Sequence, residues 1–158
     1  MKLKILVNPM AKGAYFAHIQ SVVQAEFAAL YPSIDMELSK RGSLLFLDVD
    51  LPEEECKKLS VLSFVQGIFQ TNTNDELTII DIIPNFDLPE ELVWGSKYRG
   101  KTNEIVTQLA LNIALHFAPK ILDKKVKLLD PMAGRGTTLL WAARYGISSV
   151  GIERNRDV

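Results

Sequence analysis

An apolar run that ends in an aspartate and passes into a glycine-rich loop constrains the fold of this 158-residue chain more than any other stretch. Val126–Asp130 is short, apolar and bounded, which is typical of a buried parallel strand. Pro131 cannot continue the hydrogen bonding of a strand, so the chain is expected to turn there. Gly134 and Gly136 permit a positive φ and let a ligand approach the backbone closely. The stretch therefore predicts a strand followed by a ligand-binding loop.

The residues after this loop predict a helix and then a second strand. Thr137 and Thr138 can cap or line the start of a helix over Leu139–Tyr145, and Gly146 suits its C-terminal end. Ser149–Glu153 then predicts a short strand that ends in a carboxylate. A strand, a glycine-rich loop, a helix and a strand in this order are typical of the nucleotide-binding half of a doubly wound α/β domain.

The acidic residue at the end of the second strand narrows the choice of ligand. Glu153 follows Asp130 by 23 residues, which places it to accept hydrogen bonds from the two hydroxyls of a ribose. A dinucleotide site needs a third glycine where Leu139 stands, and an ATP-binding P-loop needs a lysine where Thr137 stands. Asp130 would also repel a phosphate. S-adenosylmethionine, which has a ribose, an adenine and an amino group but no phosphate, fits these residues better.

The loop also resembles a known motif. Residues 130–138 read Asp-Pro-Met-Ala-Gly-Arg-Gly-Thr-Thr, which is similar to the first motif, D-P-x-x-G-x-G-T, of the class I methyltransferases that act on amino groups. The resemblance implies that the loop backbone lines the methionine part of S-adenosylmethionine and that the acidic residue of the second strand holds the ribose. The cofactor-binding residues that we expect are Asp130, Met132, Ala133, Gly134, Gly136, Thr137 and Glu153.

The resemblance also says where catalysis is expected. In this family it rests on an (Asp/Asn)-Pro-Pro-(Tyr/Phe) loop after the fourth strand, and neither Asn-Pro-Pro nor Asp-Pro-Pro occurs in this sequence. We therefore expect the catalytic residues beyond Val158 and expect the chain to be inactive by itself. The family implies methylation of an exocyclic amino group of an RNA base that is flipped out of its helix. A DNA amino-methyltransferase stays an alternative, as does a non-catalytic module that binds a partner or a second copy through exposed sheet edges.

A helix that is apolar nearly all round is predicted before the motif. Thr102 or Asn103 is a suitable N-cap, and the apolar residues between Ile105 and Phe117 predict a well-buried helix. In the family, the corresponding helix leads into the first strand and covers one side of the cofactor pocket.

The N-terminal part, residues 1–93, predicts a separate small domain, with a linker inside Pro84–Gly95 and the methyltransferase-like part over 94–158. Strands are predicted at 2–7, 34–38, 43–49, 61–70 and 77–83, and helices at 15–30 and 52–58, although 59–64 could also be helical. The order β-α-β-β-α-β is ferredoxin-like. The predicted fold class is therefore α/β, with a ferredoxin-like α+β domain followed by the truncated start of a Rossmann-like domain. Stretches such as Leu59–Ile68 are similar to the start of the THUMP-related tRNA guanine-N2 methyltransferases, which implies guanine N2 of tRNA as the target.

Charge is distributed unevenly along the chain. The net charge is −1, but residues 1–96 carry −7 and residues 97–158 carry +6. Such asymmetry favours a nucleic-acid partner for the basic part, and we expect Lys97, Arg99 and Lys101 to contact RNA phosphates. A second basic cluster, at 120–127, is explained equally well as a solvated loop.

Cysteine content and hydropathy exclude several other classes of protein. Cys56 is the only cysteine, so an intrachain disulfide and a cysteine-rich metal site are both impossible. No apolar run is long enough to predict a transmembrane helix. These features predict a reducing, cytoplasmic setting and no metal site.

Overall fold

The computed structural model describes residues 1–8, 18–95, 101–118 and 126–155. The chain is a mixed α/β protein that divides into two compact units, Met1–Pro84 and Asn85–Val158. Within the described residues, no helix combines the length and the apolar character needed to cross a membrane.

The first unit is built around a five-stranded antiparallel sheet. Its elements are β1 (Lys2–Val7), α1 (Ile19–Leu30), β2 (Met36–Arg41), β3 (Leu44–Asp50), a 3₁₀ turn (Glu53–Glu55) continued by α2 (Cys56–Leu59), β4 (Val65–Thr71) and β5 (Leu77–Ile79). The strand order is β2-β3-β1-β4-β5, so β1 lies at the centre. In its register Ile5 faces Leu47 of β3 on one side and Ile68 of β4 on the other.

One face of this sheet forms the core of the first unit. Leu3, Ile5 and Val7 of β1 are buried, whereas the residues between them are more exposed, which is the period of two expected for a strand with one face on the core. Helix α1 covers that face with Val23 and Phe27, which have no exposed surface. The helical spacing of apolar residues over 15–30 predicted this helix, which the structure shows as Ile19–Leu30; residues 15–17 of the prediction lie outside the described residues.

Several predicted boundaries in the first unit differ from the structure. Strand β2 covers Met36–Arg41 rather than 34–38, and the hairpin turns at Gly42-Ser43, because Gly42 takes the positive φ of 60° that opens this two-residue loop. Strand β4 begins at Val65 rather than at 61, because the chain after α2 forms turns in which Leu62 and Val65 donate backbone hydrogen bonds three residues back. Strand β5 ends at Ile79 rather than at 83, where its ladder with β4 stops.

The second unit contains a two-stranded parallel sheet and three helices. Its elements are α3 (Glu91–Trp94), α4 (Glu104–Phe117), β6 (Lys127–Asp130), α5 (Thr137–Arg144) and β7 (Ser148–Gly151). Leu129 faces Val150 in the parallel register, and α5 connects the two strands. Val93, Leu111 and Trp141 form the buried centre of this unit, against which Leu128 and Tyr145 pack.

The chain divides into its two compact units after Pro84, at the start of the predicted linker Pro84–Gly95, whereas the predicted first domain extends to 93. The segment that the sequence places in the first domain is held by α5 instead. The backbone N–H of Asp87 donates to the carbonyl of Arg144 over 2.8 Å, and the Arg144 guanidinium lies 4.0 Å from the centre of the Phe86 ring while donating to the carbonyl of Leu88. These contacts join distant parts of the sequence, so local patterns could not locate them.

Candidate functional site

The loop between β6 and α5 is fixed against the end of β7 by backbone hydrogen bonds. The N–H of Ile152 donates to the carbonyl of Asp130 over 2.8 Å, and the N–H of Ala133 donates to the carbonyl of Ile152 over 2.9 Å. The N–H of Gly136 donates to the carbonyl of Ala133 over 2.7 Å and closes the turn into the helix. The predicted strand, loop, helix and strand are therefore all present, and the loop lies at the carboxyl ends of both strands.

Asp130 organises the first half of the loop. Its Oδ1 accepts the backbone N–H of Met132 over 3.0 Å, a local hydrogen bond that turns the chain directly after Pro131. The Met132 side chain is largely exposed at the tip of the loop. Asp130 is thus a loop-forming residue as well as a candidate ligand-binding residue.

Two glycines give the second half of the loop its shape. Gly134 has a φ of 51° and Gly136 a φ of 82°, both in the left-handed region that other residues rarely adopt. Gly136 immediately precedes α5, and Thr137, the first residue of the helix, is buried. The sequence predicted that these two glycines permit a positive φ, and both have one in the structure.

Glu153 holds the loop through its carboxylate. Its Oε2 accepts the N–H of Gly134 over 2.8 Å, and its Oε1 accepts the N–H of Asn155 over 2.7 Å. The hydrogen bonds from Asn155 and Gly134 hold the pKa of the Glu153 carboxyl below its usual range. A carboxylate has about four lone-pair positions, so these two bonds, together with the backbone hydrogen bond from Arg154, leave acceptor capacity for a hydroxyl group of a ligand.

An apolar groove opens beside the loop. It has a volume of about 270 Å³ and lies between α4 on one side and β6 with the start of α5 on the other. Val106, Ala110 and Leu111 line it from α4, and Leu129 and Asp130 line it from β6. Asp130 is the acidic group in this lining, so the groove offers an apolar wall with a carboxylate at the loop end.

The predicted phosphate-binding lysine has a different environment from the one expected. The Lys101 side chain is only 8% exposed, and its Nζ donates to the carbonyl of Val93 over 2.7 Å and to Oε1 of Glu104 over 2.7 Å. Lys101 therefore ties α3 to the first turn of α4 and does not present its ammonium to solvent. Lys97 and Arg99 lie outside the described residues, so their predicted contacts with RNA stay predictions.

Two residues that position the loop were not singled out in the sequence. Asn155 supplies a backbone donor to Glu153, for which the sequence carries no signal. Gly151 ends β7, where the loop and α5 come within van der Waals distance of its backbone. A glycine inside a strand often marks such a close approach, so the signal for Gly151 was present.

Comparison with protein-family models, with curated proteins and with solved structures finds no match to this chain. The described residues also contain no cluster of three or more His, Cys, Asp or Glu side chains that could hold a metal ion. The geometry of the second unit therefore carries the functional argument.

Proposed function

We propose that the second unit binds S-adenosylmethionine and is the cofactor-binding part of a class I methyltransferase acting on an exocyclic amino group of an RNA base. One observation carries this proposal. Asp130 ends β6, Glu153 follows the neighbouring parallel strand β7, and both bond the backbone of the glycine loop between β6 and α5. Ligands of open α/β sheets bind at this position, beyond the carboxyl ends of the strands.

The charge of the site favours this cofactor over a nucleotide phosphate. Asp130 and Glu153 are both carboxylates, and both bond the backbone of the loop on which a phosphate would have to lie. S-adenosylmethionine instead brings a cationic sulfonium and an ammonium, together with two ribose hydroxyls. The acceptor capacity left on Glu153 suits a ribose hydroxyl, and Asp130 beside the apolar groove suits the ammonium.

The strand order of each unit supports a specific fold for that unit. The order β2-β3-β1-β4, with α1 between β1 and β2 and with α2 between β3 and β4, supports a ferredoxin-like arrangement of the first unit with β5 added at one edge. The parallel pair β6 and β7, connected by α5, supports the start of a Rossmann-like sheet.

The substrate class rests on the motif more than on the geometry. The D-P-x-x-G-x-G-T pattern and the basic balance of residues 97–158 support a nucleic-acid substrate, and the resemblance of the first unit favours guanine N2 of tRNA. A DNA substrate is the alternative that shares the motif. A cytoplasmic setting accords with the single, buried Cys56.

Calorimetric titration of the full chain tests the cofactor assignment. We expect binding of S-adenosylmethionine and S-adenosylhomocysteine and none of NAD⁺ or ATP. Glu153→Gln should weaken binding roughly tenfold, because it removes one charge-assisted acceptor for the ribose. Glu91→Gln, at the first turn of α3, is the matched control and should leave the affinity unchanged. Equal binding of ATP, or no effect of Glu153→Gln, would contradict the proposal.

Transfer of a labelled methyl group to tRNA, ribosomal RNA and duplex DNA tests the expectation that this chain is inactive by itself. We expect no transfer above background by this chain, because it contains no Asn-Pro-Pro or Asp-Pro-Pro loop. Transfer by the 158-residue chain itself would refute this expectation, and the nucleic acid that accepts the methyl group would identify the substrate.

A second candidate function, self-association, is favoured by the apolar surface of the parallel sheet. Leu129 and Val150 are partners in the register and are 60% and 64% exposed, and Ile152 is 55% exposed just after β7. Within the described residues, β6 and β7 pair only with each other. Sedimentation over a broad concentration range should detect a dimer that Val150→Lys weakens and that Leu44→Lys, at an exposed apolar position of the first unit, does not.

A further inference from the structure

Gly151 occupies the most crowded glycine position around the loop. A Cβ atom built on Gly151 would lie 2.7 Å from the Cβ of Ala133 and 2.8 Å from Cδ1 of Leu139. Carbon atoms in contact are normally about 3.5–4.0 Å apart, so a methyl group cannot be accommodated without movement. Among the described glycines, a positive φ occurs at 42, 134, 136 and 146 and not at 151, so the requirement for glycine at 151 is one of space rather than of backbone conformation.

The two neighbours of this position differ in how easily they can move. Leu139 would meet the methyl group with the end of a flexible side chain, which can rotate to another rotamer. Ala133 would meet it with its Cβ, which is attached directly to the loop backbone. A side chain at 151 would therefore push the loop away from β7.

The loop backbone at this point is the part that contacts Glu153. Ala133 bonds the carbonyl of Ile152, and the next residue, Gly134, bonds the Glu153 carboxylate. We infer that Gly151 is a positioning residue: the absence of a side chain there sets the distance between the loop and Glu153 and so sets the shape of the proposed S-adenosylmethionine site. The inference rests on the proposed function only for the identity of that ligand.

This role differs from those of the two loop glycines. A Cβ on Gly134 would meet no atom within 4 Å, and the nearest atoms to one on Gly136 belong to Leu139 and lie at ordinary distances of 3.6 Å or more. Alanine at either position is disfavoured by its positive φ alone. At position 151 alanine is disfavoured by a contact, and a contact can be relieved by a second substitution.

The test uses Gly151→Ala in the full chain with readouts that need no ligand. Amide exchange of Gly134 and the pKa of Glu153 are measured by NMR. We expect at least a tenfold loss of Gly134 protection and a rise of the Glu153 pKa toward its ordinary value, since the hydrogen bond between them would lengthen. The double variant Gly151→Ala/Ala133→Gly removes the fixed clash and should restore both quantities.

A matched control separates this effect from that of any glycine-to-alanine change in a strand. Gly67→Ala lies in β4, where the new Cβ would meet the end of the Phe69 ring at an ordinary distance of 3.4 Å. It should leave Gly134 and Glu153 unchanged. Unchanged protection and pKa in Gly151→Ala would overturn the inference. If Gly151→Ala unfolds the second unit, recovery of the fold in the double variant supports the inference and failure to recover overturns it.

Ligand titration then separates the two proposals. If the wild-type chain binds S-adenosylmethionine, Gly151→Ala should lower the affinity at least tenfold, and Ala133→Gly should restore it. If the wild-type chain does not bind this cofactor but the NMR readouts change as expected, the cofactor assignment fails while the positioning role of Gly151 stands.

Discussion

At the scale of a single residue, a carboxyl group with no exposed surface joins α1 of the first unit to a serine that is distant in the sequence. Glu26 lies on the buried side of α1, and its two oxygens accept the backbone N–H of Ser63 over 3.1 Å and the Ser63 hydroxyl. Burying a carboxylate is costly unless donors replace its water. The helical spacing predicted which side of α1 faces the core, but only the tertiary structure supplied the donors for a polar residue on that side.

Ser63→Ala should destabilise the first unit by about 2 kcal/mol, because it removes a hydrogen bond to a fully buried carboxyl group. Chemical denaturation measures this change. Ser60→Ala is the control, since the Ser60 hydroxyl donates to the carbonyl of Lys57 at an exposed site, and it should have a clearly smaller effect. Equal effects of the two substitutions would show that the hydrogen bond to the buried Glu26 contributes no more stability than the exposed hydrogen bond of Ser60.

Glu153 makes the second unit sensitive to acid. The hydrogen bonds that lower its pKa in the folded state are absent in the unfolded chain. Their contribution to stability is therefore complete above the unfolded pKa of about 4.3 and is lost as the pH falls through the lower, folded pKa. Acid unfolding followed by Trp141 fluorescence should be less steep over this interval in Glu153→Gln. An identical profile in the variant would rule out this contribution.

At the scale of the element, α4 shows how a short local signal can fix a boundary. Asn103 precedes the helix, and its Oδ1 accepts the N–H groups of Ile105 over 3.0 Å and of Val106 over 3.2 Å. The sequence proposed Thr102 or Asn103 as the cap, and the structure selects Asn103. Strands β4 and β5 lacked such a signal, because their ends depend on turns and on pairing with strands distant in the sequence.

Asn103→Ala should lower the stability of the second unit by about 1 kcal/mol, the usual cost of removing a side-chain N-cap. Thermal unfolding followed by Trp fluorescence measures this change. Asn103→Asp keeps an acceptor at the same position and should restore most of the stability. A loss as large in Asn103→Asp as in Asn103→Ala would mean that the amide is needed for something other than capping.

At the scale of the whole molecule, each of the two units contains its own side-chain probe of unfolding. Cys56 is buried in the core of the first unit, where burial raises the pKa of its thiol. Trp94 and Trp141 both belong to the second unit. Because each unit has its own core, we expect thiol labelling and tryptophan fluorescence to report separate unfolding transitions.

The substitutions described above test this separation. Ser63→Ala should shift the transition measured by Cys56 labelling, and Asn103→Ala should shift the one measured by tryptophan fluorescence. A single transition that responds equally to both substitutions in both probes would show that the units unfold together.

The sequence by itself determined the elements whose signals are local. It predicted the β6-loop-α5-β7 segment from Asp130 and the two loop glycines, and it predicted α4 from its cap and its apolar pattern. It also placed Glu153 beside that loop, although β7 ends at Gly151, two residues before the predicted end of the strand. These predictions succeed because capping, turning and amphipathic spacing are decided within a few residues.

The tertiary structure alone decided which groups meet. It joined Glu153 to Gly134, turned Lys101 inward to Val93 and Glu104, and assigned residues 85–93 to the second unit. It also gave Gly151 its role, which depends on the Cβ of a residue that lies eighteen positions earlier in the sequence. Contacts of this kind depend on how elements pack, and packing is set by the shapes of all the residues that take part rather than by any local pattern.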